Sequence, residues 1–320
     1  MMLRALGFAL LFASPALGDT AEVVKDHIRA GFQTFADQTR ALAEVDSCDE
    51  ALLRPAFQGS FDAWMAVAHL HLGPAEQGGR ALAIFFWPDP KGQGWKAQQK
   101  LLAADPARLD PTFIAAQSVA ARGLAGLERL LYPTTPLAQD PCPLIHATAD
   151  DLARTAQELA AEWRPFGALM LTPGAPGNTR FLDDSEVRQA LLTQLATGIE
   201  VNADSRLGRP LGTFEKPRPD LAEARASGRS LRNVVLSVQA LQDLTRRLSP
   251  DSVKTQAGFD RALHLARTLD DPVFAGVADP QRRLKVEILQ STLRGLRDTA
   301  IAELGADLGV GIGFNALDGD

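Results

Sequence analysis

Six arginines, Arg206, Arg209, Arg218, Arg225, Arg229 and Arg232, crowd into residues 206–233 together with three prolines and three glycines. A guanidinium is a fixed planar fork suited to carboxylate or phosphate. A long ordered loop inside a compact domain is usually functional. The same stretch carries Glu215, Asp220 and Glu223, and Glu200 and Asp204 precede it. Two readings therefore stand side by side: an anion site, or an internal ion-pair network that fastens the loop.

Glu128 is the sharpest single candidate. Ala121, Leu124, Glu128 and Leu131 fall at helical spacing, which places the carboxylate on an apolar face. A buried carboxylate must be paired, metal-bound or protonated. Asp62 and His69 lie seven residues apart on one side of another helical pattern, beside Trp64 and Met65. His69 and His71 look like a metal pair, but residues two apart on a helix point away from each other unless the helix ends there. His27, His146 and His264 stand isolated in sequence. The run from Phe85 to Trp95 is aromatic and suits either a cleft wall or a cap on a helical core. No HExxH pair, GxSxG elbow or Ser/His/Asp set is present.

The elements that must position these groups are helices. Alanine and leucine dominate, β-branched runs are absent, and 3.6-residue periodicity predicts eight helices. They fall near 20–45, 50–72, 111–132, 144–163, 184–203, 220–248, 252–269 and 280–308. A Pro/Gly-rich linker over 172–182 separates them four and four. The expected fold is all-α, two packed four-helix bundles over 19–171 and 183–320. Cys48 and Cys142, the only cysteines, fall in loops at the same end of an up-down bundle, so one disulfide is expected.

Residues 1–18 read as a secretory signal: Arg4, an apolar run from Ala5 to Ala13, and Ala16-Leu17-Gly18 before Asp19. That run is far short of the roughly 20 residues of a transmembrane helix. A protein of the periplasm or one that is secreted, not membrane-spanning, is expected. A formal charge of −6 and a pI near 5.5 argue against nucleic acid as a general partner.

Several longer motifs occur in order: Phe86-Trp87-Pro88-Asp89, Gly123-Leu124-Ala125-Gly126-Leu127-Glu128-Arg129, Arg206-Leu207-Gly208-Arg209-Pro210-Leu211-Gly212, Ser227-Gly228-Arg229-Ser230-Leu231-Arg232-Asn233, and a closing Gly313-Phe314-Asn315 with Asp318-Gly319-Asp320. With them the chain resembles the imelysin-like family, exported bacterial proteins linked to iron uptake and named after a metallopeptidase. The resemblance implies two four-helix bundles with a site in the cleft between them. It also implies a GxHxxE helix whose His and Glu could bind a cation such as iron or another divalent metal. Here Gly123 and Glu128 hold the outer positions, and Ala125 stands where the histidine would be.

The expected site is therefore shared. Glu128, Asp62 and Trp64 would face Arg206, Arg209 and Arg229 across the cleft, with Glu128 the one candidate metal ligand. The function expected is non-enzymatic binding of a small anionic ligand or metal chelate in metal acquisition, with or without a membrane-associated uptake partner. A metallopeptidase and a polysaccharide- or protein-docking module are the alternatives.

Overall fold

The computed structural model describes residues 19–311, all helix and connection with no strand among them. The signal segment and the closing Gly313–Asp320 motif of the sequence reading lie outside the described residues.

Helix α1 covers residues 20–43 as Thr20–Glu22, a π-helical Val23–Arg29 and Ala30–Ala43. α2 is Glu50–Val67, started by Asp49, whose carboxylate accepts from the Ala51 N–H. Short helices follow: α3 (Arg80–Ile84), α4 (Gln93–Leu102), α5 (Pro111–Ala115) and α6 (Gly123–Leu131). α7 is Cys142–Leu171. α8 covers 184–211 as Asp184–Glu200, a second π-helical stretch Val201–Leu207, and Gly208–Leu211. α9 (Ser230–Leu248), α10 (Val253–Arg267) and α11 (Pro280–Leu308) complete the chain.

Apolar stripes dictate the packing. In α11, Val286, Leu289, Leu293, Leu296, Ala300, Leu304 and Leu308 are buried at steps of three and four, the signature of a helix with one core face. α1 packs on α2 and α7, and α6 packs on α2 and α7. In the second half α11 packs on α8 and α10, and α9 on α8 and α10. The halves meet where α2 and the π-helical turn of α1 lie on α9. One apolar core runs from Val23 to Leu308 through both.

The helix expected over 50–72 ends at Val67 and that over 184–203 runs on to Leu211; three further departures show their cause. The helix expected over 111–132 breaks between Ala115 and Gly123. Buried Arg122 there turns inward to chelate Asp151 with Nε and Nη2 at 2.8 and 3.0 Å. Gly123 follows at φ +58°, where an added Cβ would lie 2.3 Å from the carbonyl oxygens of Ala83 and Ile84. The helix expected to stop before Pro165 continues to Leu171. Trp163, Gly167 and Met170 remain buried on its core face, so tertiary packing outweighs the hydrogen bond that proline removes. The helix expected from Asp220 begins only at Ser230. Pro217, Pro219 and Gly228 leave the preceding loop to be organised by its side chains.

The disulfide forms between Cys48 and Cys142, with Cα atoms 5.7 Å apart. The 172–182 linker is pinned: Asn178 donates to the carbonyls of Leu169 and Thr172 at 2.8 and 2.7 Å, and Phe181 is buried against Phe166.

Candidate functional site

The arginine-rich stretch divides into two systems. The first joins the halves. Arg229, 1% exposed, donates from Nε to Asn233 Oδ1 at 2.9 Å, from Nη1 to Gln58, and from Nη2 to Asp62 Oδ1 at 2.7 Å. Its guanidinium also lies 4.3 Å above the Phe61 ring centre. Arg232 grips Asp62 with Nε and Nη2. Burial pushes the Asp62 carboxyl up, but the hydrogen bonds and charges of Arg232 and Arg229 more than offset this and hold it below its ordinary value. Beside them, Glu128 Oε1 accepts from the Ser227 N–H at 2.9 Å and the Ser227 O–H at 2.7 Å. Desolvation raises the Glu128 carboxyl, only partly countered by those two bonds and by Arg129 and Arg229. Asp62 and Arg229 thus spend their polar atoms on each other and on Arg232, Asn233 and Gln58, Glu128 commits Oε1 to Ser227, and none of the three lines the cavity between the halves.

The second system does line a cavity. About 230 Å³ of space lies between the halves, walled by Trp64, Phe85, Trp87, Pro88, Ala68 and Gly198. His69, His71, Arg206, Glu223 and the hydroxyl residues Thr197, Ser205 and Ser237 supply its polar groups. Arg206 is only 6% exposed. Its Nε donates to Glu223 Oε2 at 2.8 Å, and its Nη1 to Asn202 Oδ1 at 3.1 Å and Ser237 Oγ at 3.0 Å. Nη2 meets only the Met65 thioether at 3.6 Å, a weak acceptor, so the guanidinium keeps donor capacity. Glu223 Oε2 accepts from Asn233 as well, at 2.8 Å. Arg209 stacks at 5.6 Å from the centre of the Trp87 ring on the cavity wall. Of the six residues expected at the site, then, Trp64 and Arg206 line this space and Arg209 backs it.

Histidines supply what the sequence reading left unassigned. α2 ends at Val67, so both His69 and His71 lie past the helix end, and both line the cavity. His27, isolated in sequence, is brought by the π-helical turn of α1 to within 3.1 Å of His69, Nε2 to Nε2. Its Nδ1 lies 2.8 Å from Asp243 Oδ2, and Arg247 Nε donates to the same oxygen at 3.0 Å. Those bonds, led by His27, hold the Asp243 carboxyl down at about 2. His69 is pushed far below the ordinary histidine value by burial first, then by the charges of His27, His71 and Arg206, against which Asp243 acts. Each half also contributes one seven-residue π-helical turn, which carries His27 in α1 and Arg206 in α8; π-turns inside α-helices are frequently functional. Sequence periodicity has no signal for them. Gly198 is the other positioning element: an added Cβ would lie 3.0 Å from His69 Cβ.

The fit to a protein-held metal can be read from the donors. Ala125 offers no ligand, and Glu128, with Oε1 engaged by Ser227, has Oε2 alone to offer. Among the described residues the one group of three or more His, Cys, Asp or Glu at ligand spacing is Cys48, Cys142 and His146. Its sulfurs are joined as a disulfide and are not thiolates. The described residues do not fit a protein-only metal centre.

The family model described as Imelysin matches residues 26–300. No curated protein shows significant sequence similarity. The fold is similar to that of an imelysin-like protein from Psychrobacter arcticum 273-4, with a TM-score of 0.75 and 18% identity over 92% of this chain and 96% of that one. It is also similar to a "putative iron-regulated protein A precursor" from Parabacteroides distasonis ATCC 8503, with a TM-score of 0.63 and 11% identity over 93% and 97% of the two chains.

Proposed function

This chain belongs to the imelysin family, and we propose that within it the protein is an exported, non-enzymatic binding protein of metal acquisition that takes a small carboxylate-bearing ligand or its metal chelate. The observation that carries the reading is Arg206. It is a buried guanidinium on the wall of a 230 Å³ cavity, with Nη2 contacting only a thioether. A desolvated guanidinium with spare donors is a strong carboxylate partner. The aromatic wall of Trp64, Phe85 and Trp87 suits the ligand's apolar surface. Because the described residues do not assemble three metal ligands, the metal arrives as cargo already chelated. The disulfide fits an oxidising compartment. No described helix is long and apolar enough to cross a membrane, so delivery to a membrane-associated uptake partner would be by docking.

The alternatives draw less support. A metallopeptidase requires three protein ligands and an activated water, and no described group besides the disulfide cluster has that spacing. A sugar platform needs presented aromatic faces. Trp87 instead lies between Arg209 and the cavity, and Trp95 alone among the tryptophans is exposed, at 37%.

The test is thermal unfolding and calorimetry with citrate, ferric citrate and simple dicarboxylates. Ligand at a hundred times its Kd adds about 2.7 kcal/mol of stability, a readable shift. The Arg206→Met/Glu223→Gln double variant, which removes both charges together, should lose the shift, and Arg225→Ala on the exposed loop should keep it. No stabilisation by any of these compounds would sink the reading.

A further inference from the structure

Two buried arginine–carboxylate pairs close to different extents. Arg122 and Asp151 make both parallel bonds of the fork, Nε to Oδ2 at 2.8 Å and Nη2 to Oδ1 at 3.0 Å, the geometry in which such a pair is complete. Arg206 and Glu223, 6% and 2% exposed, make only one, Nε to Oε2 at 2.8 Å. Arg206 Nη2 meets the Met65 sulfur instead. Glu223 spends Oε2 a second time, on Asn233, and Oε1 has no hydrogen-bond partner among the described residues. Nor is Oε1 one of the unpaired polar atoms sealed inside the protein. Glu223 lines the cavity, and Oε1 is the oxygen left to face it.

The cavity wall thus holds a spare donor and a spare acceptor on one ion pair. Both groups are fixed, Arg206 Nη1 by Asn202 and Ser237 and the Glu223 carboxylate by Asn233. A carboxylate oxygen that faces a cavity has to be satisfied by whatever enters it. A simple carboxylate answers Arg206 alone and sets its own charge against Glu223. A simple amine does the reverse. A molecule with an anionic acceptor and a cationic donor on neighbouring atoms answers both. An α-amino carboxylate carries the two on adjacent carbons. The walls of Trp64, Phe85 and Trp87 adjoin the pair, and aromatic faces take both a cation and an apolar side chain.

We propose that the half-closed Arg206–Glu223 pair binds the head group of an α-amino acid, with the carboxylate on Arg206 Nη2 and the ammonium on Glu223 Oε1. The inference rests on the carboxylate-binding reading above and names its ligand class. A hydroxyl in place of the ammonium keeps the hydrogen bond and loses the charge, so it ranks below. Arg206 and Glu223 are binding residues in this scheme; Asn202, Asn233 and Ser237 are positioning residues.

Calorimetric binding to the full chain tests this with compounds that differ at one group: phenylalanine against 3-phenylpropanoate, and aspartate against succinate and malate. Near neutral pH the amino compound should bind about 10- to 100-fold more tightly than its desamino partner, the worth of one charge-assisted hydrogen bond. The preference should fade as pH rises through the ligand's ammonium pKa, since a neutral amine brings Glu223 no charge. Glu223→Gln should erase the preference and leave succinate and 3-phenylpropanoate binding as tightly as before or more so. Equal affinities within the pairs, malate binding as tightly as aspartate, or a preference that survives loss of the ammonium charge overturns the inference. The carboxylate-binding reading stands in those cases if citrate or succinate binds and the Arg206→Met/Glu223→Gln variant abolishes that binding. No binding by any of these compounds, citrate included, overturns both. The comparison is made in the unmodified protein, so a Glu223→Gln chain that fails to fold does not rescue the proposal.

Discussion

Glu128 and Ser227, 99 positions apart in sequence, meet at a single oxygen: Oε1 of the carboxylate takes both the backbone N–H and the hydroxyl of the serine. This contact ties α6 in the first half to the loop before α9 in the second. Gln58, which donates to the Tyr132 hydroxyl at 3.0 Å and accepts from Arg229, extends the same seam. The conspicuous carboxylate of the sequence and the tail of its arginine run thus make a cross-half clasp, and the cavity lies elsewhere.

Replacing Glu128 separates charge from hydrogen bonding. Glu128→Ala strands the Ser227 donors and should lower stability by about 1–3 kcal/mol in denaturant titrations. Glu128→Gln keeps the accepting oxygen and should be near neutral. Burial raises the native Glu128 pKa, so its contribution is full below the ordinary carboxylate value and is lost as pH rises through the folded one. The stability of Glu128→Gln relative to the parent should therefore rise from acid toward neutral pH. A gap independent of pH would contradict the assignment.

Asp62 offers a contrast within one network. Its partner Arg229 is 1% exposed while Arg232 has a side chain 56% exposed. Asp62→Asn leaves a buried guanidinium without its counter-charge and should cost about 3 kcal/mol. Arg232→Ala should stay within about 1 kcal/mol, as exposed pairs do. Chemical denaturation of the two variants decides it, and equal losses would refute the division.

The buried Arg206–Glu223 pair predicts strong non-additivity. Arg206→Met alone leaves Glu223, 2% exposed, as an uncompensated charge and should cost about 3–5 kcal/mol. Adding Glu223→Gln should restore most of that loss. A double-mutant cycle with additive energies would show that the two side chains do not act as a pair.

Legibility in the sequence followed range. The all-α fold, the helix stripes and the disulfide were readable because 3.6-residue periodicity and cysteine placement are local or topological signals. The break at Arg122–Gly123 was hidden because its cause is the carbonyls of Ala83 and Ile84, some 40 residues upstream. The same holds for the site. Arg206 and Trp64 stood out by residue type, and they do line the cavity. His27 gave no signal, since its partners Asp243 and His69 lie 216 and 42 residues away and its register depends on a π-helical turn. Arg229 and Asp62 were equally conspicuous by type, and both arginines are buried; only the partners of each nitrogen tell a guanidinium spent on the protein from one with a donor to spare.

The Asp243–His27 contact sets an acid limb of stability. The folded Asp243 carboxyl lies at about 2, below its ordinary value near 3.8. A depressed carboxyl adds stability that is present above the unfolded value and lost as pH falls through the folded one. Melting temperature should therefore drop between about pH 4 and pH 2, and part of that drop should vanish in Asp243→Asn. The group is nearly half exposed, so salt should shrink the effect. An unchanged acid profile in Asp243→Asn would refute the hydrogen-bonded, ionised state of that carboxylate.

The disulfide gives the last expectation. Cys48 and Cys142 enclose a separation of 94 residues, and tying so long a loop restricts the unfolded chain more than a short one would. Loop-closure entropy puts the stabilisation at about 4.7 kcal/mol, near the top of the usual range of 2–5 for losing a native disulfide. The bond fastens the start of α7 to the loop between α1 and α2, and neither cysteine lines the cavity. The Cys48→Ser/Cys142→Ser variant, or the reduced protein, should unfold at distinctly lower denaturant. Its affinity for any cavity ligand should stay within about two-fold under native conditions. A large loss of affinity at full folding would mean that the disulfide shapes the site, and the first half would then have to be treated as one rigid unit with it.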